Sequence, residues 1–138
     1  MKKFLTTDEK EFVSAERLYK IFFYILCILI LISALVKIGG MLDKRVGIGD
    51  FKIRLAHLLH ALAYFLFSMY YPAGKYLGFN LFRKRALPTF IIILILLDFL
   101  AEILQLLVPY RSFSLMDMVS NLIGIGTGYA VTALLLKA

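Results

Sequence analysis

The sequence predicts an all-α integral membrane protein in which four transmembrane helices form one bundle. Hydrophobic residues make up 62% of the 138 positions. The mean hydropathy of +0.86 is too high for a soluble domain. Four apolar runs are close to the length that crosses a bilayer, and charged residues cluster between them. We therefore expect a single membrane domain over residues 1–138.

Each predicted span is bordered by basic residues, glycine or proline, which anchor or end a membrane helix. Residues 1–17 are polar and are predicted to form a cytoplasmic juxtamembrane segment. The second, third and fourth spans are expected to form the core, and the first span is expected to pack outside them. The four spans are predicted at about residues 18–36, 53–71, 88–108 and 115–136.

Proline and a capping residue predict the ends of the last two spans. Pro88 suits the first turn of the third span, where its missing N–H costs nothing. Pro109 should stop that helix. Ser114 followed by Asp117 resembles a capping box, and it predicts the start of the fourth span.

The second span has its own breaking signals. Residues 38–52 contain four glycines and predict a connector without regular structure ahead of the span. Pro72 and Gly74 are expected to end the span.

The distribution of basic residues predicts that both termini are cytoplasmic. One side of the membrane would carry ten Lys and Arg residues and the other side six, and the richer side is normally the cytoplasmic one. The turn from Pro109 to Ser114 then faces outward. The net charge of +7 is spread around the spans, which indicates topology and lipid contacts and argues against nucleic-acid binding. Cys27 is the single cysteine, so no internal disulfide can form.

Polar residues recur at helical spacing on one face of each of the last three spans. Carboxylates within lipid are costly, so these faces are expected to meet around a partner or a cavity. By the rise of a helix, His60 and Glu102 lie about 9 and 10 Å from the outer ends of their spans, and Asp117 lies about 5 Å past its cap. The three faces carry His57, His60 and Tyr64; Asp98, Glu102 and Gln105; and Asp117, Asn121, Gly124 and Gly128.

These motifs resemble those of the VanZ-like family of small bacterial membrane proteins. The resemblance covers about residues 55–128 and is carried by three motifs. They are His60-Ala61-Leu62-Ala63-Tyr64, Glu102-x-x-Gln105, and Arg111-Ser112-Phe113-Ser114 followed by Asp117, Asn121 and Gly124. The resemblance implies a multi-pass protein of the bacterial inner membrane and a link to glycopeptide-type antibiotic resistance.

The chain departs from the family pattern just before His60. The family often has Asp-Lys three to four residues ahead of this histidine, where the chain has Ala56 and His57. Whether His57 replaces the missing acidic–basic pair, as a cationic or proton-carrying group, stays open.

The predicted site is a ligand pocket near the outer surface. In it, Arg111 would bind a phosphate or carboxylate, or would pair with Asp117 or Glu102. Glu102 and His60 are the candidate catalytic residues if the protein is an enzyme, which the sequence leaves undecided and slightly disfavours. Neither a metal nor a cofactor is expected. The predicted ligand-binding residues are Arg111, His60, Glu102, Gln105, Asp117 and Asn121.

Three functions fit this pocket. The favoured one is binding of an anionic lipid or a wall-precursor headgroup in the cell envelope. The second is a non-catalytic subunit of a larger envelope complex, and the third is a small intramembrane hydrolase or transferase. Membrane lipids are the expected partners, together with a protein partner or a second copy of the chain through Gly124 and Gly128, whose spacing permits close helix approach.

Overall fold

The computed structural model describes residues 7–36, 44–48, 51–109 and 113–136. Within these ranges five helices enclose the core, and a two-stranded antiparallel hairpin precedes the second helix. The elements are α1 (Thr7–Leu35), β1 (Arg45–Ile48), β2 (Phe51–Arg54), α2 (Leu55–Ser68), α3 (Tyr70–Tyr76), α4 (Ala86–Gln105) and α5 (Leu115–Leu135).

Three of these helices are long and apolar enough to cross a membrane, over Glu11–Leu35, Ala86–Gln105 and Leu115–Leu135. The prediction of a helical membrane protein is thereby confirmed. The remaining predicted span, the second, corresponds to α2, which has 14 residues. At 1.5 Å per residue α2 is about 21 Å long and cannot cross a hydrocarbon core of about 30 Å alone.

The predicted end of the second span is wrong, because Pro72 and Gly74 lie inside α3. The break comes earlier, at Met69, whose N–H is shared between the carbonyl oxygens of Phe65 and Leu66, each 3.2 Å away. Pro72 has no N–H to donate to the carbonyl of Ser68, so a continuous helix would lose a hydrogen bond here. Pro72 therefore falls in the first turn of a new helix, where the missing donor is harmless.

The connector before α2 contains regular structure, contrary to prediction. β1 and β2 pair antiparallel, with Arg45 opposite Arg54 and Gly47 opposite Lys52. The N–H of Leu55 then bonds the carbonyl oxygen of Lys44 at 2.8 Å. Strand pairing gives partners to backbone groups that an irregular connector would leave to water. The hairpin therefore leads into α2 without a linker.

The predicted boundaries of the other spans agree with the helices at most ends. α1 begins at Thr7, well before the predicted span, and ends at Leu35. α4 holds Pro88 in its first turn and ends at Gln105, ahead of Pro109. α5 begins at the predicted cap, where Ser114 Oγ accepts a hydrogen bond from the N–H of Asp117 at 3.2 Å.

The first span does not lie outside the core. Phe23 of α1 is 0% exposed and stands at the centre of an aromatic cluster. Its ring centroid lies 5.7 Å from those of Phe67 and Phe90 and 5.8 Å from that of Tyr70. Large aromatic side chains contribute much of the packing energy of a core, so α1 is tied to α2, α3 and α4 at this point.

Tyr19 and Tyr70 fasten the middle of α1 to α3. Each hydroxyl donates a hydrogen bond to the other residue's carbonyl oxygen, at 2.8 Å from Tyr19 and 2.6 Å from Tyr70. The two rings stack at 4.5 Å with an interplanar angle of 7°. The hydroxyls thus find partners although their surroundings are largely apolar.

The closest helix contact is between α2 and α5, which run in the same direction. A Cβ atom placed on Gly124 would lie 2.2 Å from the carbonyl oxygen of Ala61, and one on Gly128 would lie 2.2 Å from Ser68 Oγ. Only glycine allows the backbones to come this near. Both glycines are buried against α2 of the same chain, so contact with a second copy through them would require α2 to move.

Gly124→Ala is expected to lower the free energy of unfolding by about 1–3 kcal/mol, because the new methyl group would overlap the backbone of α2. Gly126 lies on the same helix, and no atom of the described residues lies within 4 Å of an added Cβ there. Gly126→Ala should therefore be neutral or stabilising by up to about 1 kcal/mol, the helix-propensity gain of alanine. Reversible unfolding in mixed micelles measures both, and equal effects would contradict the close contact.

Candidate functional site

Polar side chains collect at one end of the bundle, where α1 and α4 end and where α2 and α5 begin. His57 in the first turn of α2 meets Asp117 in the first turn of α5, with 2.7 Å between Nδ1 and Oδ1. Both side chains are about four-fifths buried. His57 of α2 therefore bonds a neighbouring helix, α5.

One turn deeper, a hydrogen bond joins α4 to α5. Asn121 Nδ2 donates to Asp98 Oδ1 at 2.7 Å, and the two residues are 2% and 1% exposed. A carboxyl group at this depth is costly without a partner, so the amide supports it. Asn121 thus bonds across to α4, and Asp98 finds its partner on a neighbouring helix.

Glu102 joins the end of α4 to the start of α5. Its Oε2 accepts a hydrogen bond from the backbone N–H of Ser114 at 3.1 Å, and its Oε1 accepts one from Gln105 Nε2 at 3.4 Å. The residue is 1% exposed. The sequence offers Arg111 as a partner for this carboxylate and places His60 beside it as a candidate catalytic residue. His60 makes no hydrogen bond to Glu102 in the described structure, and Arg111 lies outside the described residues.

A cavity of about 310 Å³ opens between these helices. Its apolar wall comes from α1 and α2, and it includes Ile30, Ala34 and Leu59. Its polar wall holds His60, Tyr64, Glu102, Gln105 and Asn121. The cavity therefore combines an apolar side with a group of hydrogen-bonding side chains, as ligand sites usually do.

Two residues that line this cavity each have a buried polar atom without a hydrogen-bond partner among the described residues: the hydroxyl of Tyr64 and Oδ1 of Asn121. Tyr64 is 4% exposed, so neither atom is compensated by bulk solvent. Leaving a buried polar group unsatisfied costs about 1–3 kcal/mol. The wall of this cavity therefore has hydrogen-bonding capacity that the described residues leave unused.

The structure therefore divides the predicted site residues. His60, Glu102, Gln105 and Asn121 line one cavity. Asp117 instead bonds His57, and neither of these two residues lines that cavity. Arg111 cannot be placed, because it lies outside the described residues.

Sequence reasoning underrated three residues. Tyr64 appeared as a face residue and as the aromatic end of a motif, and it proves to be a polar wall of the cavity. Asp98 and His57 were left out of the predicted site, yet they hold Asn121 and Asp117 in position. The available signal was their spacing, because each lies one or two turns from a predicted site residue on the same helix.

A metal centre has no support in the described ranges. Among residues 7–36, 44–48, 51–109 and 113–136, no group of three or more His, Cys, Asp or Glu side chains is arranged to hold a metal ion. The acidic side chains of α4 and α5 are instead engaged in hydrogen bonds, as Asp98 is with Asn121 and Asp117 is with His57.

Comparison with known proteins gives no relative: no family model matches the chain, and neither a curated protein nor a solved structure matches it. The VanZ-like resemblance stays a prediction from three motifs.

A double-mutant cycle on Asp98→Ala and Asn121→Ala should give a coupling energy of about 1.5–3 kcal/mol, the range for a hydrogen bond to a charged group. The measurement is the free energy of unfolding of both single variants and the double variant. Asp98→Ala with Ser120→Ala is the control, since Ser120 Oγ donates to the carbonyl of Met116 in its own helix. Coupling near zero in the first cycle would contradict the α4–α5 bond.

Proposed function

We propose that this chain is an integral membrane protein of the bacterial cell envelope whose cavity binds the headgroup of an anionic lipid or of a wall precursor. The observation that carries the proposal is that Tyr64 and Asn121, which line one cavity of about 310 Å³, each have a buried polar atom without a partner among the described residues. These atoms are the Tyr64 hydroxyl and Asn121 Oδ1. A ligand that pairs with both atoms removes two desolvation costs at once.

The chemistry of the cavity wall favours a headgroup rich in hydroxyls. Asn121 Oδ1 can only accept a hydrogen bond, and the Tyr64 hydroxyl can donate or accept one. A glycerol or sugar hydroxyl satisfies both types of group. Glu102 makes the deep part of the cavity a poor place for a phosphate. We assign the phosphate to Arg111, which lies three residues before Ser114 in the connection between α4 and α5.

The proposal includes a fourth crossing and an orientation. α2 and α3 together cover residues 55–76, and about 22 residues at helical rise are enough for a bilayer. With both termini in the cytoplasm, as the basic residues favour, the cavity faces the outer side of the inner membrane. This is the side on which wall precursors are used.

A role in glycopeptide-type resistance belongs to the same proposal and rests on the VanZ-like resemblance. Binding of a wall precursor would change how much of it a glycopeptide can reach. Expression of the chain in a susceptible bacterium should then raise the inhibitory concentration of a glycopeptide, and Tyr64→Phe should reduce that gain.

The enzyme alternative has one observation in its favour, since His60 and Glu102 border the same cavity as an acid–base pair would. It requires turnover of a lipid-linked substrate that Glu102→Gln abolishes. The alternative of a non-catalytic subunit predicts a stoichiometric partner that purifies with the chain.

Tyr64→Phe provides the main test of the cavity, because it removes one unsatisfied hydroxyl and keeps the ring. We expect about fivefold weaker binding, equivalent to about 1 kcal/mol, with stability unchanged or slightly increased. Native mass spectrometry of detergent-solubilised protein titrated with phosphatidylglycerol, and separately with an undecaprenyl-linked wall precursor, measures the affinity. The ligand that binds more weakly to the Tyr64→Phe variant than to the unchanged protein identifies the source of the headgroup.

Tyr70→Phe is the matched control, because it also removes one tyrosine hydroxyl. That hydroxyl is bonded to the carbonyl of Tyr19 at 2.6 Å, so its loss should lower stability and leave binding unchanged. Unchanged affinity of Tyr64→Phe for both ligands would refute the proposed cavity function.

A further inference from the structure

A second cavity, of about 440 Å³, lies between the hairpin and the start of α5. It is separate from the first, which is lined by other residues of α2, among them His60 and Tyr64. Its lining includes Arg45, Arg54 and His57 on one side and Met116, Val119 and Ile123 on the other.

The hairpin register places two arginines side by side. Arg45 pairs directly with Arg54 across the strands, and both side chains are exposed. Directly opposite residues of an antiparallel pair have Cβ atoms about 4.5–5.5 Å apart, and like charges there are destabilising. In the described part of the chain neither arginine forms an ion pair with an acid.

The described surroundings add positive potential, and none of their acids lines the cavity. Arg54 is also the residue that precedes α2, at the positive end of the helix dipole, and its side chain makes no capping hydrogen bond to the described residues of that helix. No carboxylate is among the described residues that line the cavity. The nearby Asp117 is engaged with His57 at 2.7 Å.

The opposite wall is apolar and open to the membrane. Met116, Val119 and Ile123 lie on one face of α5 and are 65%, 45% and 56% exposed. The cavity therefore has cationic groups at the end of the bundle, above an apolar helix face that runs into the membrane. An anionic phospholipid has the same arrangement, with a phosphate above its acyl chains.

We infer that the cavity bounded by Arg45, Arg54 and the Met116–Ile123 face of α5 is a binding site for an anionic phospholipid of the surrounding membrane. The two guanidinium groups bind the phosphate, as arginine pairs do through bidentate hydrogen bonds. The parts of the acyl chains nearest the headgroup lie along α5. Neutralisation of the arginines by the phosphate removes the repulsion across the hairpin. The inference does not depend on the function proposed for the first cavity.

The chain contains no tryptophan, which makes a site-specific experiment simple. A Met116→Trp variant places one fluorophore in the cavity, and a Leu96→Trp variant places one on the lipid-exposed face of α4. Both are reconstituted in vesicles that contain brominated phosphatidylglycerol or brominated phosphatidylcholine. We expect quenching at Met116→Trp to favour phosphatidylglycerol by about tenfold in relative binding constant, and quenching at Leu96→Trp to show no preference.

Removal of the arginines tests the cause of this preference. In the Met116→Trp protein, the double substitution Arg45→Gln and Arg54→Gln should abolish the preference for phosphatidylglycerol. Arg83→Gln with Lys84→Gln lowers the net charge by the same amount at exposed positions and should leave it intact. If the first double variant does not fold, the single variants Arg45→Gln and Arg54→Gln should each reduce the preference about threefold.

Three outcomes would overturn the inference. They are the absence of a preference at Met116→Trp, a preference that survives loss of both arginines, and an equal loss in the Arg83→Gln and Lys84→Gln control. The Tyr64→Phe variant separates the two cavities, because it should weaken ligand binding in the first and leave the preference at Met116→Trp unchanged.

Discussion

The close approach of α2 and α5 at Gly124 is the constraint on which the rest of the structure depends. The carbonyl oxygen of Ala61 occupies the space that any side chain at position 124 would need. With the backbones this near, the short polar side chains at the start of each helix can meet, as His57 and Asp117 do. The same contact fixes Tyr64 of α2 on the cavity that Asn121 of α5 lines. The close packing of α2 against α5 therefore determines where the polar side chains of the two helices lie.

The polar groups of the bundle fall into two kinds. Asp98 and Glu102 each accept at least one hydrogen bond from α5 or its cap, so they stabilise the arrangement of the helices. The Tyr64 hydroxyl and Asn121 Oδ1 have no such partner within the described ranges. In an apolar bundle, the hydrogen bonds to the two carboxylates offset the cost of removing those groups from water. The unpaired hydroxyl and amide oxygen have no such compensation. Groups of the second kind are the ones that a ligand can satisfy, and they are where binding is proposed.

The two ends of the bundle are built from different chemistry. At one end, stacked tyrosines and the Phe23 cluster join α1 to α3 and α4 through aromatic contacts and paired hydroxyls. At the other end, polar pairs and a hairpin that leads directly into α2 surround two cavities. The aromatic end therefore holds the helices together by ring contacts, and the polar end does so by hydrogen bonds such as those of Asp98 and Glu102. The cavities at the polar end differ in that hydrogen-bonding or cationic side chains line them.

The sequence by itself determined the membrane class, three of the long helices, the Ser114 cap and the polar faces, because hydropathy, capping chemistry and helical spacing are local properties. It also indicated that His60, Glu102, Gln105 and Asn121 would meet. Only the tertiary structure decided the helix break at Met69, the hairpin and the pairing of Asp117 with His57. It also decided which polar atoms stay unsatisfied among the described residues. These features depend on which surfaces face each other across distant parts of the chain, and local spacing does not specify that.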